Sequence, residues 1–435
     1  MKTNKNLFIG LIIAIFGTIQ LSAKTIDTSL TLPEGFKAYI FADNLGRARH
    51  IVVNDNGDVF VSLRELKDGK GIVALRDQDQ DHQAEQIQYF FNQPGTGLAW
   101  HKDYLYFAPD TAVYRFRFED NELVPKRKPE QIVKNLTEQR QHAAKTITLD
   151  GDELYLNIGA PSNACQEQMR TPGSPGMEPC PLLEEYGGIW QFDANAEGQI
   201  QEEANHYATG LRHCVALDWN HECNELYVVM HGRDQLYSLW KEKFTQKQNA
   251  ELPAEEFLRI KEGSNSGWPY CYYHHFKGTK VLAPEYGGDG EKIGRCGQYN
   301  DPLIGFPAHW APNDLIFYNK EQFPEKYHGG ALIAFHGSWN RAPFPQQGYK
   351  VVFVAFNECS PDTSWEVLAD GFSGEEELKS PYEAEYRPMG LATGPDGSLF
   401  QANQQIREYC DTHNKVLYDF ADIEKYSPDR NANYQ

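Results

Sequence analysis

Several common catalytic motifs are missing from this sequence of 435 residues. It has no G-x-S-x-G elbow, no P-loop, no H-E-x-x-H helix and no G-x-G-x-x-G between a strand and a helix. The common serine hydrolases, the nucleotide enzymes and the zincins are therefore excluded, although other hydrolases are not. A Cys-x-x-Cys-His motif is also missing, so a haem partner would have to be a separate chain.

Basic residues are few relative to acidic ones. The 41 Lys and Arg against 61 Asp and Glu leave a net charge of −20. Nucleic acid is an improbable partner for such a chain, because phosphates require clustered Lys and Arg. A local cationic pocket is still possible, but an anionic ligand would need arginines of its own.

Long apolar runs are also scarce. Residues 1–23 have the pattern of a signal peptide: Lys2 and Lys5, an apolar run from Leu7 to Leu21, and the small residues that end at Ala23. We expect export, to the periplasm or beyond the cell. The alternative is an uncleaved anchor, but the run is short for a span of about 20 residues. No other segment is apolar enough, and we expect no transmembrane anchor in residues 24–435.

The eight cysteines include no Cys-x-x-Cys, which argues against a Cys-ligated metal site. In an exported chain they predict disulfides. Proximity in sequence favours four local pairs, although eight cysteines allow about 105 pairings. The four expected pairs are Cys165–Cys180, Cys214–Cys223, Cys271–Cys296 and Cys359–Cys410.

Aromatic residues, Gly and Pro are plentiful, which favours strands and turns. A hairpin pattern of apolar strand, Asp/Asn/Gly turn and Tyr/Phe/Val-rich strand occurs six times. The copies lie at 51–61, 97–107, 146–156, 215–228, 314–335 and 390–400. A four-stranded unit at this spacing is typical of a β-propeller. We predict an all-β, six-bladed propeller with disulfide-stapled loop insertions, and an eight-bladed ring is the alternative. Residues 241–256 are expected to be a surface excursion, and 272–303 an irregular insertion.

Polar residues at the starts of the hairpins point to a site, because these positions face the mouth of a propeller's channel. His142 precedes the third hairpin and is a candidate general base, since imidazole titrates near neutral pH. The alternative is a solvated loop histidine. Arg212 and Arg387 hold the equivalent positions in the fourth and sixth hairpins and are suited to binding carboxylates. Surface charge is the alternative; Lys145 and Lys350 are weaker candidates.

Three further residues near the fifth hairpin extend this group. His309 fits the same ring, and His336 and Trp339 follow that blade's second strand. Trp339 is suited to covering a flat ligand, or else to packing within a blade.

Two stretches could hold calcium, an ion that prefers oxygen ligands. The tight turn at Gly232 and Arg233 offers backbone carbonyls. The run Asp77-Gln-Asp-Gln-Asp81 offers spaced carboxylates but lacks the central glycine of a calcium loop, so we interpret it as an outer-blade turn.

The order of several short motifs resembles the PQQ-dependent sugar dehydrogenases, specifically the sorbosone dehydrogenase branch related to soluble glucose dehydrogenase. The motifs are Leu32-Pro-Glu-Gly-Phe36, Thr209-Gly-Leu-Arg212, Gly267-Trp-Pro-Tyr-Cys271, Phe306-Pro-Ala-His309, His336-Gly-Ser-Trp-Asn-Arg341, Gly348-Tyr-Lys350 and Arg387-Pro388. The resemblance covers roughly residues 32–405 and implies a six-bladed propeller with the quinone at the channel mouth.

The resemblance also implies roles. His142 is similar to the catalytic base, Arg212 to the arginine beneath the cofactor, and Arg387 to the partner of a cofactor carboxylate. The carbonyls of Gly232 and Arg233 resemble the ligands of a calcium ion that polarises the quinone. The remaining implied cofactor-binding residues are His213, His309, His336, Trp339 and Lys350. The implied reaction is hydride transfer from a sugar or aldehyde to PQQ, with a separate cytochrome or quinone as electron acceptor.

Two positions depart from the glucose branch, which has Asn where this chain has His213 and Arg where it has Glu385. The loop that ends at Cys165 differs as well, so glucose itself is not indicated. Two alternatives remain: a calcium-dependent propeller hydrolase of the lactonase type, and a binding propeller without catalysis.

Overall fold

The computed structural model describes residues 26–27, 29–374 and 377–405. Five sheets of four or five strands dominate it, antiparallel except for the parallel pair of Asn205–Thr209 with Ser264–Asn265. The strands of the first blade are Ala48–Val53, Val59–Lys67, Lys70–Arg76 and Gln86–Phe90, and those of the second are Gly95–His101, Tyr104–Pro109, Val113–Arg117 and Glu130–Val133. The third blade has Thr146–Asp150, Glu153–Ile158, Gly188–Asp193, Asn205–Thr209 and Ser264–Asn265, and the fourth has Ala216–Asn220, Glu225–Met230, Glu255–Ile260 and Ile304–Phe306. The fifth blade has Pro312–Phe317, Ala331–Phe335, Lys350–Val354 and Glu366–Ala369.

The sheets form a ring around their first strands. Each first strand packs against the first strand of the next blade, and the hairpin of Tyr386–Thr393 and Leu399–Gln405 lies between the fifth blade and the first. Backbones approach closely on this inner circle. A Cβ on Gly97 would lie 2.6 Å from the Lys145 carbonyl oxygen, and one on Gly390 would lie 2.6 Å from the Arg49 carbonyl oxygen. The propeller class is therefore confirmed.

The expected number of six blades is not confirmed. Five blades are complete, and the sixth predicted hairpin forms a two-stranded sheet within the residues that the structure describes. The prediction counted hairpins, and a hairpin supplies only the two inner strands of a blade.

Both faces of each blade are buried, because every blade packs between two others. Phe60 of the first blade packs with Leu105 and Phe107 of the second, and Tyr106 of the second packs with Leu154 and Leu156 of the third. This explains why the inner strands are nearly continuous apolar runs rather than alternating ones.

The smaller elements lie between and around the blades. They are the two-stranded sheets Ile26–Asp27 with Ala38–Tyr39, Cys271–His274 with Thr279–Leu282 and Phe356–Asn357 with Ser360–Pro361; the α-helices Leu236–Leu239 and Gln246–Glu251; and the 3-10 helices Pro181–Glu184, Gln201–Glu203, Pro284–Tyr286, Gly294–Gln298, Glu325–Tyr327 and Pro381–Glu383. Among the described residues, every helix is too short or too polar to cross a bilayer. The predicted signal peptide lies outside the described residues.

The excursion predicted at 241–256 is wrong in two respects. The strand Glu255–Ile260 begins inside it, and the segment is not confined to the surface. Its Phe244 and Leu252 are buried in a cluster with Trp240 and with Tyr272 of the next insertion. Phe244 lies between Lys243 and Thr245 in the sequence, so the polar composition of the segment did not indicate its burial.

Two of the four predicted disulfides are present, Cys165–Cys180 and Cys271–Cys296. The other two predictions are wrong. Cys223 bonds Cys359, and Cys214 is a buried thiol; Cys410 lies outside the described residues. Cys214 lies at the inner end of a strand and Cys223 in its outer turn, about 20 Å away at ~3.3 Å per residue. A disulfide tolerates only about 4.4–6.8 Å between Cα atoms.

Candidate active site

His142 lies just before the first strand of the third blade and is 2% exposed, so it is not a solvated loop residue. Its Nδ1 is 2.6 Å from the Ala160 carbonyl oxygen. Because a carbonyl only accepts hydrogen bonds, Nδ1 carries the proton and Nε2 keeps its lone pair. The ring of His142 stacks on that of His213, with centroids 4.6 Å apart.

The electrostatic surroundings keep this imidazole neutral. Burial lowers the pKa of His142 well below its ordinary 6.5, and the charge of Arg212 and the ring of His213 lower the pKa further. Burial likewise lowers the pKa of His213. Both ring nitrogens of His213 are buried, and neither has a hydrogen-bond partner among the residues described. His142 therefore keeps an unprotonated Nε2, and His213 has two buried nitrogens without a partner among the residues described.

Arg212 is held by two side chains from other loops. Its Nη2 donates to Asn163 Oδ1 at 3.1 Å and to Asp234 Oδ2 at 2.9 Å. Asn163 lies two residues before the Cys165–Cys180 disulfide, and its Oδ1 also accepts the Asp234 backbone N–H at 2.9 Å. One amide therefore fixes the guanidinium and its counterion together.

Asp234 connects Arg212 and His309 of the predicted site, although no role was predicted for it. Its Oδ1 accepts a hydrogen bond from Asn340 at 2.7 Å and lies 3.7 Å from His309 Nδ1. Arg170 lies 3.7 Å from its Oδ2. Burial alone would raise the pKa of Asp234, but Arg212 and Arg170 lower it below the ordinary value. The only signal in the sequence was its position directly after Gly232 and Arg233.

The turn at Gly232 and Arg233 is fixed by buried carboxylates. The Gly232 N–H donates to Glu255 Oε2 at 2.6 Å, and the Arg233 guanidinium pairs with Glu285. No hydrogen bond from the described part of the chain reaches the carbonyl oxygens of these two residues. A small cavity of about 10 Å³, room for about one water molecule, lies beside them and is also lined by Arg212 and Asn163.

Arg387 and Trp339 form a second group. Arg387 is fully buried, and its guanidinium donates to the carbonyls of His336 at 2.9 Å and Gly337 at 2.6 Å. It lies 4.0 Å from the ring centroid of Trp339. His336 Nδ1 in turn lies 3.2 Å from the Pro388 carbonyl oxygen. Arg387 therefore fixes the loop that carries Trp339, and Asn340 of the same loop reaches Asp234.

Lys350 is not part of either group. Its ammonium pairs with Asp370 Oδ2 at 2.8 Å and lies 5.4 Å from the ring centroid of Trp310. The residue starts the third strand of its blade rather than the innermost one, and its role as a cofactor ligand stays a prediction. Glu385 is exposed and lies against Gly374, so it does not approach Arg387 through the core.

The acidic run of the first blade does come together. Ligand oxygens of Asp77, Asp79, Asp81 and Glu85 lie within 4.8 Å of one another. They occupy the turn between the two outer strands, as the interpretation as an outer-blade turn requires. Asp77 accepts the backbone N–H groups of Gln80 and His82, which explains the turn without an ion.

Fold and site define a β-propeller whose channel mouth gathers imidazole, guanidinium and carboxylate groups from three loop insertions. The sequence model of the family described as TrAA12-like matches residues 30–408, and the chain belongs to that family. The resemblance to the PQQ-dependent sugar dehydrogenases is confirmed at this level, without distinguishing the sorbosone branch.

Individual relatives are distant. An uncharacterized protein of Borreliella burgdorferi is 24% identical over 410 residues, covering 91% of this chain and 94% of that protein. A pyrroloquinoline quinone-dependent pyranose dehydrogenase of Coprinopsis cinerea is 31% identical over 172 residues, which are 33% of this chain and 22% of that enzyme. The chain thus spans under a quarter of that curated relative.

Solved structures show the same fold. The holo PQQ domain of Coprinopsis cinerea pyranose dehydrogenase superposes with a TM-score of 0.68 at 17% identity, over 86% of this chain and 94% of that domain. A calcium structure of the Trichoderma reesei family AA12 enzyme gives a TM-score of 0.67 at 19% identity, over 88% of this chain and 94% of that one.

Proposed function

We propose that this protein is a quinoprotein oxidoreductase that oxidises a sugar or a related aldehyde with PQQ as cofactor and calcium as its metal. The observation that carries the proposal is the buried, neutral His142, whose Nε2 keeps its lone pair beside the guanidinium of Arg212. Relatives of the chain support it: the Coprinopsis cinerea enzyme is named as a PQQ-dependent pyranose dehydrogenase.

The residues present fit such a cofactor. A planar tricarboxylate requires positive charge and hydrogen-bond donors at a water-poor site. Arg212 and Lys145 supply buried charge, and His213 supplies two buried ring nitrogens that no described residue satisfies. Trp339 supplies an aromatic surface backed by Arg387. His309 and His336 are two further residues proposed to bind the cofactor, although one ring nitrogen of each already contacts a backbone carbonyl.

Calcium fits the turn at Gly232 and Arg233. Calcium prefers oxygen ligands, and carbonyl oxygens without a hydrogen bond are available for one. Here, two such carbonyls are adjacent in sequence, next to the carboxylate of Asp234. Calcium at this place would act as a Lewis acid.

The chain's own part in the reaction is to hold the substrate and to move one proton. His142 would accept the substrate hydroxyl proton at Nε2, while the hydrogen bond from Nδ1 to Ala160 fixes the ring. The bound quinone would supply the two-electron acceptor. Asp234, Asn163 and Asn340 would keep Arg212 in place.

A lactonase-type hydrolase is less well supported. That class needs carboxylate and amide side chains directed at a channel calcium. Asp234 and Asn163 do meet here, but the two oxygens of Asp234 are already bound by Arg212 and Asn340.

Export remains a prediction, and the three disulfides are typical of an oxidising compartment. A separate electron acceptor is part of the proposal.

The test adds PQQ and calcium to purified apo-protein and follows dye reduction by a panel of aldoses, for wild type and His142→Ala. Turnover that requires both additives and falls by about 10²–10⁴ in the variant supports the proposal. Lactone hydrolysis with calcium alone supports the hydrolase. If the protein shows no PQQ binding and no turnover, the result supports a propeller without catalysis.

A further inference from the structure

Lys145 is a buried cation with no acidic partner. It directly precedes the first strand of the third blade and is 0% exposed. Its Nζ donates to the Ala143 carbonyl at 3.0 Å and to Gln139 Oε1 at 3.4 Å. No carboxylate oxygen from the described ranges lies within 4.0 Å of this nitrogen.

Three other buried cations do have such a partner. Lys280 pairs with Glu256 at 2.7 Å, Arg212 with Asp234 at 2.9 Å, and Arg233 with Glu285. A charge taken out of water without a counterion is costly. Lys145 therefore bears such a cost without a carboxylate partner among the residues described.

The nearest carboxylate is already engaged. Asp110 attracts Lys145 over a longer distance, but both its oxygens accept hydrogen bonds from Arg64 at 3.0 Å. Burial lowers the pKa of Lys145 from 10.5 to about 8, which Asp110 offsets only in part. At neutral pH the ammonium is still charged, and it needs an anion.

Lys145 is connected through Gln139 to the loop that carries the proposed base. The Gln139 amide nitrogen donates to the His142 carbonyl at 3.0 Å and to the Gly159 carbonyl at 2.9 Å, while its oxygen accepts from Lys145. One side chain thus joins the ammonium to the backbone of the base. The positive charge of Lys145 also contributes to the lowered pKa of His213, whose burial is the main cause.

We propose that Lys145 is an anion-binding residue of the active site and pairs with a carboxylate of the bound cofactor. The inference rests on the proposed function, since it names the residue that neutralises part of a tricarboxylate. It gives Lys145 the role for which the resemblance suggested Lys350, whose charge is already paired with Asp370.

The test titrates calcium-loaded apo-protein with PQQ and follows tryptophan fluorescence, so that it does not depend on turnover. The variants are Lys145→Met and Lys145→Gln, with Lys350→Met as the matched control. Loss of one charge-assisted pair weakens binding by about 10- to 100-fold. We expect that loss in both Lys145 variants and less than about a twofold change in the control. Urea unfolding of each variant checks that it folds.

Three outcomes would overturn the inference. If both Lys145 variants bind PQQ as tightly as wild type, Lys145 does not contact the cofactor, although the proposed function survives. If they lose only the affinity for an acidic sugar, the anion is the substrate. If wild type itself does not bind PQQ, the proposed function fails together with the inference.

Discussion

The imidazole of His142 lies on the imidazole of His213, with the ring centroids 4.6 Å apart and the planes inclined by 25°. Gly159 lies against both. A Cβ at this position would be 2.6 Å from His213 Nδ1 and 2.7 Å from His142 Cβ. The side chains of the pair therefore occupy space that only a glycine leaves open.

Gly159→Ala should displace the base without removing it. Overpacking of this kind costs about 1–3 kcal/mol of unfolding free energy, and a displacement of about 1 Å at a reacting group costs about 100-fold in rate. We expect turnover with PQQ, calcium and an aldose to fall by about that factor. Gly297→Ala is the control, because its Cβ would meet only Ile293 at 3.7 Å. Unchanged turnover in Gly159→Ala would mean that the position of His142 is unimportant.

Much of the fold followed from local patterns, whereas the site followed only in part. Hairpins with turn residues such as Gly57 and Gly151, both at positive φ, are encoded within a dozen residues, so their count and order were predictable. Which outer strands complete a blade depends on contacts between distant segments. For the same reason, the bond between Cys223 and Cys359, 136 residues apart, could not be inferred from spacing.

His142, Arg212 and Arg387 were predicted as site residues from their positions near the starts of innermost strands. In the structure His142 and Arg212 lie in one group, whereas Arg387 lies with Trp339 in a second. Asp234 was not predicted, because its four partners lie on four loops that meet only in the folded chain. Lys350 was suggested by a motif, but its partner Asp370 lies on the same blade.

Asp234→Ala should destabilise the protein and weaken PQQ binding together. Removing one partner of a buried ion pair costs about 3–5 kcal/mol, and the 19% exposure of this side chain puts the expected loss at the lower end of that range. Asp234→Asn keeps the shape and should lose less stability. Urea unfolding and PQQ titration measure the two effects.

The pH dependence of unfolding distinguishes an effect of the Asp234 charge from an effect of side-chain packing. The folded-state pKa of Asp234 lies below its ordinary 3.8, so its stabilisation is fully present above that pH and is lost as the pH falls further. The difference in stability between wild type and Asp234→Asn should therefore be constant from about pH 8 to pH 5 and shrink only in stronger acid. A difference that persists unchanged in acid would assign the effect to packing.

The long-range disulfide Cys223–Cys359 and the local disulfide Cys165–Cys180 should differ in their effects on stability and on PQQ affinity. In the chain-entropy account, a loop of 136 residues contributes about 5 kcal/mol and one of 15 residues about 3 kcal/mol. Replacing Cys223 and Cys359 by Ser should thus destabilise more than replacing Cys165 and Cys180. PQQ affinity should show the reverse order, because Cys165 lies two residues from Asn163, which holds Arg212. Equal loss of affinity in both double variants would contradict this assignment.

Lys145→Met should stabilise the apo-protein at neutral pH. The folded-state pKa of Lys145 is lowered from 10.5 to about 8, so the folded state binds this proton less readily than the unfolded state does. The cost of the buried charge is complete below about pH 8 and disappears as the pH rises toward 10.5. A shift of this size corresponds to about 3 kcal/mol.

Urea unfolding at pH 7, 9 and 10.5 tests the expectation. The variant should be more stable than wild type at pH 7, and the advantage should decline through pH 9 and vanish near pH 10.5, where the wild-type amine is neutral in both states. Lys350→Met should gain no such advantage, because its ammonium has the counterion Asp370. Saturation with PQQ should reverse the order of the two proteins at pH 7, since only wild type then gains an ion pair. A variant less stable than wild type in the apo form would show that Lys145 is compensated within the chain and needs no ligand.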